Sequence, residues 1–429
     1  MKQKEYNLPV FIIYILIVAW SLFSLLSWKS IINNDDDDVY MISSFLLRLL
    51  IEALSIYFLL KFYKIPKSNL FYLILYFLLY SAFVNLFHSQ NLIRETSEII
   101  WWGSLFFLFY FISYFDNEEK GYINILIKYF LPFFIFVFLL FLLIVSVQQA
   151  FLDVGFTGNY NVSSNQVFFV CLLLPFTALL KNKWIKYSLL LLGLYAAVFS
   201  SKRSAMVFTP LIVIISIYYD YLSNKKNKFF GVIVTSLILF LGYTVFDSLN
   251  KRYDSFFISR FENALEDKGS GRLDIIDVVF NEYSFKSVNG LLFGSGFNSV
   301  VKDNLYKEDN ISLSAHNDFI EILYDYGIIG FIIYFIFVIF LLRRIFYLKR
   351  INKELFIANY MAFIIFVVMS LVSHLVLYPS YFAYLSILWG ITEGFLIKLS
   401  PNKKKRNVIL NKWHMKAAYK SKKSWVDYK

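Results

Sequence analysis

Apolar residues along this 429-residue chain gather in long runs separated by short polar turns. Runs of about 17 to 25 residues are long enough to carry a helix across the hydrocarbon core of a bilayer. They fall near residues 8–27, 41–60, 70–87, 99–115, 129–147, 164–180, 185–200, 205–221, 229–247, 326–342, 355–375 and 381–398. The pattern predicts an all-α integral membrane protein with about twelve transmembrane helices. The first run contains Trp20 and ends without a small-residue cleavage signature, so it reads as a retained helix rather than a removable signal. One polar interval breaks the rhythm: residues 248–324 separate the ninth and tenth spans and are long enough to have structure of their own. The predicted organisation is therefore 1–247, helices one to nine; 248–324, a long loop; 325–398, helices ten to twelve; and 399–429, a tail.

Within the long loop, "GRLDIIDVVFNEYSF" places Leu273, Ile276, Phe280 and Tyr283 at helical spacing, with Asp274, Asp277 and Glu282 mostly on other faces. It reads as an amphipathic helix lying on the membrane surface. A "FGSGF" turn, Phe293 to Phe297, follows it. There is no internal repeat and no matching pair of Gly/Pro-broken helices, which weakens a transporter reading.

Charge orients the spans. Basic residues cluster in alternate loops, at Lys61, Lys64 and Lys67, at Lys181, Lys183 and Lys186, at Lys225, Lys226 and Lys228, and at Arg343, Arg344, Lys349 and Arg350. By the positive-inside rule those loops, and both termini, are cytoplasmic, and the long loop is external. Composition agrees: 59% of residues are apolar and 17% charged, which excludes a soluble domain. Of the net charge of +12, much sits in the tail, where ten Lys/Arg face one Asp; this reads as a membrane-facing basic arm, with no nucleic-acid partner. The single cysteine, Cys171, excludes an internal disulfide.

Topology sorts the candidate chemistry. Of four histidines, His88, His316 and His374 fall at external helix ends, whereas His414 lies in the tail. His316 is followed by Asn317, Asp318, Glu321 and Asp325 as a helix begins, so acids near the positive end of the helix dipole are placed to orient or charge-stabilise an imidazole. Lys202 and Arg203 sit in a tight external turn, "SSKRSA", against the charge trend. Arg203 reads either as a guanidinium with a buried anionic partner, whose fork suits phosphate oxygens, or as an interfacial arginine reaching for water. Arg272 opens the amphipathic helix, as a second anion-binding candidate or a solvated charge. Arg48 and Glu52 lie one turn apart, roughly 10 and 16 Å below the external end of the second span, where ionisable groups face the bundle interior and pair. The Asp35–Asp38 run reads as a solvated, topology-setting loop rather than a metal site, and no metal or other cofactor is expected.

Four of these stretches, in order, resemble the O-antigen ligase and polymerase superfamily of bacterial surface-polysaccharide assembly. "SSKRSA" resembles its Ser-x-Arg-Ser/Thr-Ala element, "SGRLDII" its Arg-containing helix start in the external loop, and "GLLFGSGFNSV" its Leu-x-Gly-x-Gly turn. "AHNDFIEILYDYGIIGFIIYF" resembles its His-Asn followed by Gly-x-x-Gly at a helix start, and "NVSSNQVFF", with Asn165, is a looser match to an earlier element. The resemblance covers about Ser200 to Phe340.

The resemblance implies a glycosyltransferase: metal-independent, inverting transfer of a glycan from undecaprenyl pyrophosphate to a sugar hydroxyl on the outer face of the bacterial cytoplasmic membrane. Arg203 and Arg272 would hold the pyrophosphate and His316 would act on the acceptor hydroxyl, with Asn317, Glu321, Arg48 and Glu52 in support. Membrane lipid, a chain-length regulator and a flippase of the same pathway would be its partners. Polymerisation of lipid-linked repeat units is the leading expectation; a ligase passing a finished glycan to a lipid or protein acceptor is the sibling alternative, and a lipid-linked oligosaccharide flippase is a third reading from another class.

Overall fold

In a computed structural model of the chain, the described residues are 13, 15–23, 37–89, 91–115, 130–143, 166–200, 202–222, scattered helical positions between 229 and 251, 272–303, 305, 307–308, 311–312, 314–373, 375–376 and 378–399. They are helical apart from loops and one short antiparallel pair. The elements before the loop are α1 (Asp37–Lys61), α2 (Asn69–His88), α3 (Leu92–Phe115), α4 (Phe130–Leu143), α5 (Val167–Cys171) with a 3-10 turn at Leu174–Leu179, α6 (Lys183–Phe199) and α7 (Arg203–Ile217), which runs into π-helical Tyr218–Leu222. The loop contributes α8 (Arg272–Ser284), α9 (Val288–Phe293), α10 (Ser299–Lys302) and the pair β1 (Lys307–Glu308) and β2 (Ile311–Ser312). Then come α11 (Asp318–Leu348), α12 (Lys353–Val372) and α13 (Pro379–Leu399).

Among the described residues, seven helices are long and apolar enough to cross a membrane: Ile42–Lys61, Asn69–His88, Leu92–Phe115, Ser204–Tyr221, Asp318–Leu348, Lys353–Val372 and Ser380–Lys398. One run expected as a full span differs, that at 164–180, and two others are shorter helices among the described residues. The run at 129–147 is described as helix over Phe130–Leu143, and α6 has 17 residues. The run at 164–180 is not one helix: α5 stops at Cys171 and the chain tightens into a 3-10 turn with Pro175 near its start. Proline lacks the N–H that would continue the α-helical ladder. The runs at 8–27 and 229–247, and residues 399–429, lie partly or wholly outside the described residues or side chains.

Packing is tightest where α13 crosses α3. A Cβ on Gly390 would lie 2.3 Å from the Phe106 carbonyl oxygen and one on Gly394 2.2 Å from that of Tyr110, so the Gly-x-x-x-Gly face lets the two backbones touch. An aromatic core fills the remainder, with Trp102, Phe337, Phe366, Phe382 and Trp389 in mutual ring contact. At one end of the bundle the basic residues are tied to acids and carbonyls. Arg344 Nη2 donates to Glu393 (2.7 Å), Lys186 to Asp220 (2.8 Å) and Lys353 to the Tyr219 carbonyl (2.6 Å). The candidate residues of the loop and of α11 gather at the opposite end.

There α11 is broken on purpose. Gly327, with φ 64° and ψ −171°, interrupts the helix in a conformation open to glycine alone. Three carbonyls freed at the break find donors elsewhere: Tyr324 from Lys286 Nζ (3.2 Å), Asp325 from the backbone N–H groups of Ser295 and Gly296 (3.0 and 2.8 Å), and Tyr326 from the Tyr80 hydroxyl (2.8 Å). The "FGSGF" turn is thus the missing strand of hydrogen bonds for the kink. Gly294 faces the break at φ 80°, and a Cβ there would sit 2.3 Å from the Asp325 carbonyl oxygen. Gly294→Ala is expected to cost roughly 2–4 kcal/mol from conformational strain plus the clash. A thermal-unfolding midpoint in detergent equal to that of the unaltered protein would contradict this account of the kink.

Within the protein, the loop helix α8 packs on a face beside the one read as lying on the membrane. Ile275 and Val279 are buried against Val300, Ala315 and Tyr324, whereas Phe280 is exposed. The α8 sequence carries apolar residues on more than one side, and the surface supplied by α10 and α11 selects Ile275 and Val279.

Candidate functional site

His316 stands immediately before α11. Asn317 caps that helix, its Oδ1 accepting from the N–H groups of Phe319 (3.0 Å) and Ile320 (3.2 Å), and its Nδ2 donates to the Leu371 carbonyl (3.2 Å). The chain turns so sharply that His316 takes a left-handed conformation, φ 53°, and its N–H is held by Glu321 Oε1 at 3.0 Å. Asp318, fully buried, accepts from Ser370 Oγ (2.8 Å) and from the N–H groups of Leu375 and Val376 (3.1 Å each). A buried carboxylate with this many donors is satisfied, and it straps the turn between α12 and α13 to the start of α11. Asp325 points instead at the glycine turn, accepting from the N–H groups of Asn298 (2.7 Å) and Ser299 (2.9 Å).

Arg48 and Glu52 both face the interior, but not as one ion pair. Arg48 Nη1 contacts Glu98 Oε1 on α3 at 2.6 Å, and Glu52 Oε1 accepts from Ser97 Oγ at 2.9 Å. Tyr378 stands just before α13. Burial first, then the carboxylates of Glu321 and Glu98, push the Tyr378 hydroxyl above its ordinary pKa. Tyr378 is nonetheless 46% exposed.

From Tyr378 a row of rings leads to the start of α7. Tyr378 stacks on Tyr381 (5.7 Å, 14°), Tyr381 meets Phe168 edge-on (5.4 Å), and Lys202 Nζ lies 5.8 Å from the Phe168 ring centroid. Tyr378 and Lys202, the residue preceding Arg203, are therefore joined by consecutive side-chain contacts. Arg203 and Arg272 are each the first residue of their helices, α7 and α8, at the positive end of the helix dipole. Their side chains lie outside the described part of the structure, as do residues Asp35 and Asp36, Asn165, His374 and His414.

The long loop is riveted down by two lysines. Lys302 pairs with Glu95 of α3 (2.6 Å). Lys286 reaches Ser295 and lies 3.2 Å from the centroid of the Tyr324 ring; burial lowers its pKa to about 8, opposed by Asp325 and Asp303. His88, at the end of α2, packs beneath the turn: a Cβ on Gly296 would lie 2.9 Å from the His88 Cβ. Asn85, one turn earlier, accepts the Phe297 N–H at 3.0 Å.

Glu98, Tyr378 and the strap made by Asp318 were not singled out by sequence. The available signal was faint: a second acid in "RETSEII" at the start of an apolar helix, and a tyrosine fixed in front of Pro379.

A bundle of apolar helices with His316, Asn317 and Glu321 at the end where the long loop packs defines a multi-pass membrane protein with its candidate site at one bundle end. Residues 188–335 match the family model described as O-antigen ligase, a stretch running from α6 through the long loop and the kink to the middle of α11. That stretch, about a third of the chain, contains Arg203, Arg272, the glycine turn and His316. No curated protein matches the chain.

Proposed function

We propose that the protein is a glycosyltransferase that polymerises lipid-linked repeat units of a surface polysaccharide, a capsule, exopolysaccharide or O-antigen, at the external face of the cytoplasmic membrane. The observation that carries this reading is the family match over 188–335, which contains Arg203, Arg272 and His316, with His316 held at the start of α11 by Glu321. The opposite end gathers the basic residues, which supports placing the site outside.

In the proposed step, the acceptor hydroxyl oxygen attacks the anomeric carbon of the glycan on undecaprenyl pyrophosphate. The bond from that carbon to the pyrophosphate oxygen breaks, its electron pair leaving with the pyrophosphate, and the hydroxyl proton passes to the His316 imidazole. Direct displacement inverts the anomeric centre. Arg203 and Arg272 hold the departing pyrophosphate, where fixed cations in a site shielded from water act more strongly than in bulk. Glu321 and Asn317 fix the backbone that presents His316, and the Arg48–Glu98 pair with Glu52 supports the site from α1 and α3.

The sibling reading, a ligase that passes a finished glycan to another acceptor, uses the same step, and the matched family model carries that description. Glycan profiles of a deletion strain separate the two. The polymerase reading expects long chains to vanish while single units remain attached to their acceptor; long chains accumulating on the prenyl carrier would replace it with the ligase reading.

A further inference from the structure

The long polar loop contains one stretch without charge. From Ser287 to Val301 no residue is ionisable, and Lys286 and Lys302 close the stretch on either side. It holds α9 and the glycine turn. The corner that leads into α9 carries Phe285 and Val288 at 84% and 71% exposure, and Leu292 and Phe293 are exposed as well. Val288 and Leu292 stand one turn apart, so α9 presents an apolar flank. What covers that flank follows from its depth.

Two spanning helices measure the depth. The 20 residues of α2 rise about 30 Å, the thickness of the hydrocarbon layer, so its His88 end marks the external boundary. Tyr80 lies roughly 12 Å back along α2 from His88. Its hydroxyl donates to the Tyr326 carbonyl (2.8 Å) and reaches the Leu292 carbonyl (3.5 Å). Helix α11 gives the same answer. Gly327, where an added Cβ would lie 2.4 Å from the Leu292 carbonyl oxygen, is on the order of 24 Å along the helix from Arg343 at the basic end, short of a full hydrocarbon layer. The end of α9 is therefore seated against α2 and α11 below the external boundary. The exposed apolar residues of those helices, Leu79 and Phe83 on α2 and Ile328 and Ile332 on α11, face the bilayer beside it.

Backbone at that depth needs partners within the protein. The Leu291 carbonyl accepts from the Tyr283 hydroxyl (2.7 Å), the Gly294 N–H donates to the Gly290 carbonyl (2.9 Å), and the Gly290 N–H donates to Ser287 Oγ (3.3 Å). Lys286 turns its ammonium inward, onto the Tyr324 carbonyl at 3.2 Å, and leaves the apolar side chains around it exposed.

We propose that α9 and the corner before it form a wedge inserted in the outer leaflet, with Phe285, Val288, Leu292 and Phe293 among the lipid acyl chains. The wedge holds the loop at a fixed depth. Because the glycine turn donates to the Asp325 carbonyl at the kink, that depth also sets the height of the Asp318–Tyr326 segment and of His316 before it. The wedge rests on the membrane spans and is independent of the glycosyl-transfer reading.

Nitroxide labels on single cysteines test it, in the full-length protein carrying Cys171→Ser and reconstituted in phosphatidylethanolamine–phosphatidylglycerol vesicles. Phe285→Cys and Val288→Cys are labelled separately, with Leu79→Cys as the lipid reference and Asp277→Cys, exposed on α8, as the aqueous one. At both wedge positions the ratio of collisions with oxygen to collisions with a water-soluble nickel chelate is expected to be several-fold higher than at Asp277, approaching that at Leu79. A ratio at both positions equal to that at Asp277 would overturn the wedge. Spin–spin broadening between wedge labels that disappears on dilution with unlabelled protein would overturn it too, by putting a second copy of the chain where the lipid is proposed.

Discussion

Replacing His316 by alanine is expected to lower glycosyl transfer by about 10²- to 10⁴-fold, the contribution of a positioned general base, with the protein still present in the membrane. The position has two properties that the experiment has to separate. The imidazole is the proposed proton acceptor, and the backbone sits at φ 53°, where a side chain with a Cβ is strained and asparagine is better tolerated than most. His316→Asn therefore preserves the turn better than His316→Ala while supplying no group that takes a proton near neutral pH. Both variants losing activity together assigns the loss to the imidazole. Activity retained by His316→Asn would show that the position matters for its backbone, held by Glu321, and would remove His316 from the chemistry.

The second large effect is expected at Arg203. Arg203→Lys keeps the charge and removes the planar fork, so any loss measures geometry rather than charge. A loss of about 10²- to 10³-fold is expected, comparable with deleting one preorganised donor to a developing anion. Lys202 stands one residue earlier, with its ammonium over Phe168, so a second amine next to it adds charge to the same corner without restoring a bidentate contact. Arg272→Lys is the companion variant, since Arg272 starts α8 as Arg203 starts α7. Full polymer formation by either variant would sink the pyrophosphate role of that residue.

The long runs were legible in the sequence because a span depends on local composition. The expected 70–87 and 381–398 appear as Asn69–His88 and Ser380–Lys398 within two residues. The order of motifs was legible too, since each is a short local pattern. What escaped was set by partners far along the chain. Arg48 had a carboxylate one turn away in Glu52, yet it pairs with Glu98, which only the packing of α1 on α3 brings near. Residues of α8 offered several apolar faces, and the choice of Ile275 and Val279 was made by Val300, Ala315 and Tyr324. Asp325 looked like a partner for His316, but the kink at Gly327 and the glycine turn claim it. A pattern reader saw "GSG" and "YDYG" as two separate signals; the structure makes them halves of one junction.

The central claim is that the site at His316 forms a glycosidic bond without a metal. The most direct test incubates the purified protein with an undecaprenyl-pyrophosphate-linked repeat unit, with and without chelator, and follows chain length and pyrophosphate-lipid release. The account predicts glycan longer than one unit, one undecaprenyl pyrophosphate released for each bond formed, and the same rate in the presence of chelator. Movement of the lipid-linked glycan across a proteoliposome membrane with no new glycosidic bond, or a reaction abolished by chelator, would contradict it.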